Sequence, residues 1–303
     1  MKRALALSLT LLLFACAEKQ TQENATVNAS AHREEIEKWR TNRIARLTAE
    51  DGWLSLVGLH WLKEGANRFG SDKDANDIVF PAKAPAQAGT LTLEPGGRIT
   101  LTPAAPVSIG GKPVEGTVEL RPDTHAEGPT VVEVGVMRFQ IIERVGRYGI
   151  RLKDPESEAR KKFTSIDMYP VTDKWRVEAT YEAYHPPKRI PIQNIIGQTE
   201  QMISPGALTF TVDGKSYRLD PVLEQGTEDY FIIFKDETSR DTTYPAGRYV
   251  YAPVPKEGKT IIDFNKAYNP PCAFTDFATC PLPPQQNRLA LRIEAGEKNY
   301  GHH

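Results

Sequence analysis

Polar and apolar residues alternate most cleanly over Trp175 to Tyr184. Trp175, Val177, Ala179, Tyr181 and Ala183 share one face; Arg176, Glu178, Thr180, Glu182 and Tyr184 share the other. A period of two sends successive side chains to opposite sides of a pleated strand, so this segment predicts a half-buried strand. His185-Pro186-Pro187 stops it. Arg189 to Ile196 reads as the next strand. Ala207 to Val212 and Lys215 to Leu219 flank Asp213-Gly214, a dipeptide that predicts a two-residue hairpin. Asp229 to Lys235, Arg248 to Val254, Thr260 to Asn265 and Arg288 to Ala295 complete an antiparallel set, read as a second β-sandwich or barrel.

Upstream the same texture appears in shorter pieces. After the apolar, aromatic stretch Gly52 to Trp61 come Gly89 to Leu93, Arg98 to Thr102, Val107 to Ile109, Thr117 to Leu120, Val131 to Val134 and Met137 to Glu143. Gly96-Gly97 and Gly110-Gly111 mark turns between them. Short strands at this spacing predict a β-sandwich. A helical period shows in Ile36, Trp39, Ile44 and Leu47, which predicts one amphipathic helix, capped by Ser30 and ending near Thr48. Asp154-Pro155-Glu156 opens a second, short helix with Arg160, Lys161 and Lys162 in its last turn. The chain is therefore read as all-β and mainly antiparallel, with an N-terminal helix. Residues 31–145 hold the helix and first sandwich, and residues 146–303 the second β-rich half.

Composition narrows the partners. The 303 residues carry a net charge of −1, and a balanced chain lacks the clustered basic face that nucleic acid needs. No dinucleotide fingerprint, phosphate-binding glycine loop or His-Glu-x-x-His pattern is present, so no cofactor and no metal is expected. Residues 1–16 read as a targeting segment: Lys2 and Arg3, then an apolar run from Ala4 to Ala15. Leu13-Phe14-Ala15-Cys16 resembles a bacterial lipobox, which implies a lipid on Cys16 that ties the protein to a membrane. Ala17, by resemblance to enteric lipoproteins, points to the outer membrane, with the domain facing the periplasm. Residues 17–30 read as a flexible tether.

Cys272 and Cys280 remain. In an exported chain such a pair reads first as a disulfide, with free thiols and a metal pair as the alternatives. They lie in an irregular, proline-rich run from Asp263 to Arg288, and a loop of that length in a compact domain is functional or pinned. Around it the sequence gathers Arg248, Tyr251, Asp263, Asn265, Tyr268, Asn269 and Arg288 as candidate ligand-binding residues. Period two on Thr260 to Asn265 puts Asp263 and Asn265 on one face, where with Arg248 they would fix a polar ligand. Asp263, Arg248 and Asn265 are also the candidates for catalysis. Arg147, Tyr148 and Arg151 could offer donors to a carboxylate or phosphate, or be solvated strand charges. His60, between Leu59 and Trp61, reads as a core or edge histidine.

Two resemblances accompany these readings. Asn76-Asp77-Ile78-Val79-Phe80 followed by Ile109-Gly110-Gly111-Lys112 resembles the forkhead-associated fold. The segment Pro85-Ala86-Gln87-Ala88-Gly89 has no hydroxyl or cation where that family holds phosphothreonine. Asp51 to Leu62, Gly146 to Arg151, Tyr244 to Arg248 and Asp263 to Arg288 together resemble the bacterial family called domain of unknown function 1684, over about residues 35–300. That family implies one architecture and no activity. The leading expectation is an envelope lipoprotein that binds a small polar ligand or a protein partner in a cleft beside the 263–288 loop. A hydrolase using Asp263 with Arg248 or Asn265 is the second expectation, and a structural assembly factor without a ligand the third.

Overall fold

The computed structural model describes residues 29–301. The targeting segment, most of the tether and the candidate lipidation site Cys16 lie outside the described residues. The fold is all-β apart from an N-terminal helix and short helical turns.

Two sheets form the first sandwich. One runs, edge to edge, Leu56–Trp61, Arg147–Lys153, Met137–Arg144, Val131–Val134, Ser108–Ile109 and Lys112–Pro113. The other runs Ile78–Val79, Gly65–Gly70, Gly89–Leu93, Ile99–Pro103 and Val118–Leu120. Their inner faces bury Leu91, Leu101, Ile141, Ile150 and Leu152 around Phe69, Phe80 and Phe139, whose ring centroids lie 5.2–5.9 Å apart. The boundary expected at 145/146 falls inside a hairpin. Val145 and Gly146 both have positive φ, 50° and 73°, as a tight two-residue turn requires. Arg147–Lys153 therefore belongs to the first sheet, where Ile150 and Leu152 fill the core.

In the C-terminal half a four-stranded sheet, Lys215–Leu219, Thr199–Val212, Arg176–Gln193 and Lys259–Asp263, packs against the ladder Tyr230–Phe234 with Arg248–Ala252. Trp175, Val177 and Ala179 are buried and Arg176, Glu178 and Thr180 exposed, as the alternation implies, but near the bulge the phase slips: Ala183 is exposed and Tyr184 buried. The hairpin at Asp213-Gly214 is also as read. Pro186 and Pro187 do not end the strand. The register breaks between Ala183 and Lys188, and this bulge absorbs both prolines, which cannot donate to a ladder. Arg288 to Ala295 is not a strand. Its first residues pair with the backbone of Lys235 and Glu237, through the Leu289 amide and the Leu291 carbonyl, but from Ile293 on the carbonyls of Ile293 and Ala295 accept from Arg248 and the Ile293 amide donates to Asp236, so side chains end the pairing.

Residues 29–48 are helical, and Ser30 lies inside the helix rather than capping it. The buried stripe is His32, Ile36, Arg43 and Leu47. It docks on the C-terminal half and not on the first sandwich, because its two polar members find their partners there. The short second helix spans Glu158–Lys162, and its cap is Ser157 rather than Asp154.

His60 is half-buried beside the Phe80 ring, and burial holds its pKa below the ordinary 6.5. The unfolded chain then binds the proton first, so this contribution to stability is present above about pH 6.5 and is lost as pH falls. His60→Phe is expected to lose less stability than the wild type between pH 7 and pH 5 in urea titrations. Equal losses in the two proteins would contradict the assignment.

Candidate functional site

Arg151 lies in the middle of Arg147–Lys153, opposite Gln140 in the register, with Arg138 opposite Lys153. Paired positions share a face. Phe139, Ile141, Ile150 and Leu152 face the sandwich core, so Arg138, Gln140, Arg151 and Lys153 project from the outer face of the sheet. At one end of that face the C-terminal half covers the strands. Arg144 Nε donates to Thr279 Oγ1 at 3.3 Å, Gln198 Nε2 donates to the Arg144 carbonyl at 3.3 Å, and Ile142 is fully buried. At the other end lies a cavity of about 130 Å³ lined by Asp51, Val131, Arg138, Phe139, Gln140 and Lys153.

Arg151 sits between these two ends and is only 7% exposed. Its guanidinium lies over the Trp53 ring, 5.2 Å from the centroid, and its Nε is buried without a hydrogen-bond partner. Asp123, whose negative charge reaches it, is held by both terminal nitrogens of Arg144 at 3.0 and 2.8 Å. Burial first, and the positive charge of Arg144 second, pull the Arg151 guanidinium down to about 10. Lys153 is also held below its usual range by burial, and its ammonium donates to a neutral acceptor, the Asp51 carbonyl, at 2.7 Å. Arg138 is matched by Glu50 at 3.7 Å. This face therefore holds two partly desolvated cations, Arg151 and Lys153, that no carboxylate pairs with directly among the described residues. A stacked ring contributes about 0.5–2 kcal/mol to a cation, whereas burying an unpaired charge costs several kcal/mol. The chemistry this arrangement lacks is an anion with oxygen acceptors.

Of the three donors expected together, the pleat turns only Tyr148 to the other face; Arg147 and Arg151 share the outer face but differ in burial. Tyr148 points the opposite way from Arg151 and packs against Gly97, which has φ +90° and no Cβ to block the ring. Arg147 is exposed over the Trp61 ring at 4.5 Å.

The other expected cluster is divided into three buried knots. Arg248 is fully buried. It pairs with Asp236 at 3.2 Å and donates to the carbonyls of Ile293, Ala295 and Glu297, which ties this knot to the third. Asp263 pairs instead with His32, whose ring bridges Asp263 Oδ2 at 2.7 Å and Asp173 Oδ1 at 3.0 Å. Asp263 and Asn265 do not share a strand face, because the strand ends at Asp263. Its carboxylate caps the following turn and accepts from the backbone and side-chain nitrogens of Asn265 at 3.1 and 2.8 Å. Asn269 belongs to the third knot. Its amide and carbonyl hold Glu297 and Arg43, which pair with each other at 2.8 Å. Arg248 and Asp263 thus share no partner, so the hydrolase arrangement expected of them is not assembled. Tyr251 and Tyr268 do meet, nearly parallel at 6.3 Å. Tyr268 also lies beside Trp39 and over Arg43, and burial raises its hydroxyl to about 12. Arg288 is exposed. Cys272 and Cys280 face each other with Cα atoms 6.1 Å apart, and among the described residues no third His, Cys, Asp or Glu joins them as a metal ligand.

Residues 161–298 match the family described as "Protein of unknown function (DUF1684)". That span covers the C-terminal half and the cysteine loop and leaves out Arg151 and the recess beside it. Among solved structures, the chain is similar to an uncharacterized protein from gene locus rrnAC0354 of Haloarcula marismortui, determined by solution NMR. The two are 29% identical over 48% of this chain and 81% of that one, with a TM-score of 0.40. No curated protein matches.

Arg43→Met strands the fully buried Glu297 carboxylate and unlocks the helix from the cysteine loop. Urea unfolding should show a loss of about 3–5 kcal/mol, the usual consequence of removing one partner of a buried ion pair. A loss below about 1 kcal/mol would show that this knot does not hold the helix.

Proposed function

We propose that the protein binds a small anionic ligand, bearing a carboxylate or a phosphate, on the outer face of the first sandwich at Arg151 and Lys153. The observation that carries this reading is the Arg151 guanidinium: buried, stacked on Trp53, and without an acceptor for its Nε. An unsatisfied buried donor costs about 1–3 kcal/mol, more when charged, and a bound oxyanion removes that cost. The site borders the loop singled out in the sequence, since Trp53 packs in one cluster with Ala273 and Phe274 and the neighbouring Arg144 reaches Thr279. The forkhead-associated likeness enters this reading as architecture alone, because the proposed site is on a sheet face and not on the loops. The same reading makes the protein a lipoprotein of the cell envelope, anchored through Cys16 in the outer membrane, with a Cys272–Cys280 disulfide closing the loop. The supports are the lipobox-like Leu13 to Cys16 and the facing of the two thiol positions.

Thermal unfolding at matched ionic strength tests the site, with sodium phosphate or sodium acetate replacing sodium chloride. The wild type should gain stability, by about 2.7 kcal/mol at a hundredfold excess over Kd. Arg151→Met should show no gain, and in chloride should be at least as stable as the wild type to within about 1 kcal/mol, since it removes an unpaired buried charge. No gain in the wild type with either anion would overturn the reading and favour a structural assembly role. For the anchor, labelled palmitate fed to the native host should enter the wild type and not Cys16→Ala. Absence of label from the wild type would overturn it.

A further inference from the structure

The recess is lined by an acid, Asp51, as well as by two cations, Arg138 and Lys153, and Arg151 adjoins this lining through Gln140 and Lys153 rather than forming part of it. Asp51, exposed at its rim, offers Lys153 its backbone carbonyl; its carboxylate forms no direct ion pair with Lys153, although its negative charge reaches that ammonium. The half-buried Gln140 amide, directly opposite Arg151 in the register, also lines the recess, and no protein hydrogen bond engages it among the described residues. A ligand that was anionic throughout would bring like charges together at Asp51. A ligand with a negative end toward Lys153 and Arg151 and a positive end toward Asp51 satisfies both, and Gln140 can donate to one end while accepting from the other. The cavity, about 130 Å³, limits what can be enclosed. A cavity of roughly 150 Å³ takes a ring of about six heavy atoms.

From this juxtaposition we infer that the ligand is a small zwitterion, an α-amino acid of the size of glycine or alanine. Its carboxylate lies at Lys153 and Arg151 and its ammonium at Asp51. The inference rests on the anion reading above and narrows it. Asp51 becomes the residue that selects for the ammonium group, and Arg151 the residue that any carboxylate requires.

Calorimetric titration of the full-length protein in detergent separates the two. The probes are alanine, propionate, ethylamine and inorganic phosphate, against wild type, Asp51→Asn and Arg151→Met. Alanine should bind the wild type at least tenfold more tightly than propionate, and ethylamine should bind more weakly than both. Asp51→Asn should bring alanine down to the level of propionate and leave propionate unchanged or tighter. Arg151→Met should abolish binding of both acids. Because Asp51 is exposed, its substitution leaves the core intact, and far-ultraviolet circular dichroism checks this. Equal wild-type affinities for alanine and propionate would overturn the zwitterion while leaving the anion reading standing. Absence of binding by alanine, propionate and inorganic phosphate alike would overturn both.

Discussion

A charge taken out of water must find a partner, and that constraint shapes the irregular third of this molecule. Arg248 is the largest fully buried side chain, and around it the backbone gives up regular structure. Ile293 and Ala295 turn their carbonyls toward its guanidinium, and Asp236 takes both a terminal nitrogen and the Ile293 amide. Glu297 repeats the pattern one step on, receiving Arg43 from the helix and the amide of Asn269 from the cysteine loop. His32 does so at the start of the helix, between Asp173 and Asp263. These knots draw the chain's first helix, its cysteine loop and its last segment into one body. Burying charge in this way is costly, and well-packed apolar groups would stabilise as much. The knots specify which segments meet.

Against that background Arg151 stands apart. The same fold that pairs Arg43, Arg144 and Arg248 leaves this guanidinium with an aromatic ring and no acid. It occupies the second of six strands in its sheet, opposite Gln140 and two residues from Lys153, both of which line the recess. A site on strands rather than loops holds its donors in place before a ligand arrives, which lowers the ordering cost of binding. Strand pairing also sets its composition, since the tight turn at Val145-Gly146 fixes which residues of the two strands stand opposite each other.

How far this was legible in the chain depended on whether a segment obeyed its own local pattern. Trp175 to Tyr181 alternates, and its burial follows; Asp213-Gly214 turns as its dipeptide demands. The helix was legible as a helix, but its docking partner was not, because half of its buried stripe is polar and a search for apolar periodicity passes over His32 and Arg43. Arg288 to Ala295 reads as a strand by composition, and its first half does pair with the backbone at residues 235–237, yet Arg248 and Asp236 claim the backbone at Ile293 and Ala295 and end the pairing there. Arg248 and Asp263 looked like one site because they lie close in sequence to the same loop. Each has its own partner, and those partners, Asp236 and His32, come from segments that no local reading connects. Arg151 was among the candidates beside Arg147 and Tyr148; the pleat turns Tyr148 away, and burial separates Arg151 from the exposed Arg147. Lys153 carried a usable signal, two residues from Arg151 on the same face. Gln140 and Arg138 follow from pairing across the hairpin. Asp51 had none.

The central claim is that Arg151 waits for an oxyanion. Its Nε–H resonance in side-chain proton–nitrogen correlation spectra, assigned by comparison with Arg151→Met, reports on that donor directly. Titration with phosphate or acetate should shift this resonance saturably and slow its exchange with solvent, while those of Arg43 and Arg248 stay fixed. An Arg151 resonance that is unmoved by either anion, and already as protected as that of Arg43, would contradict the account.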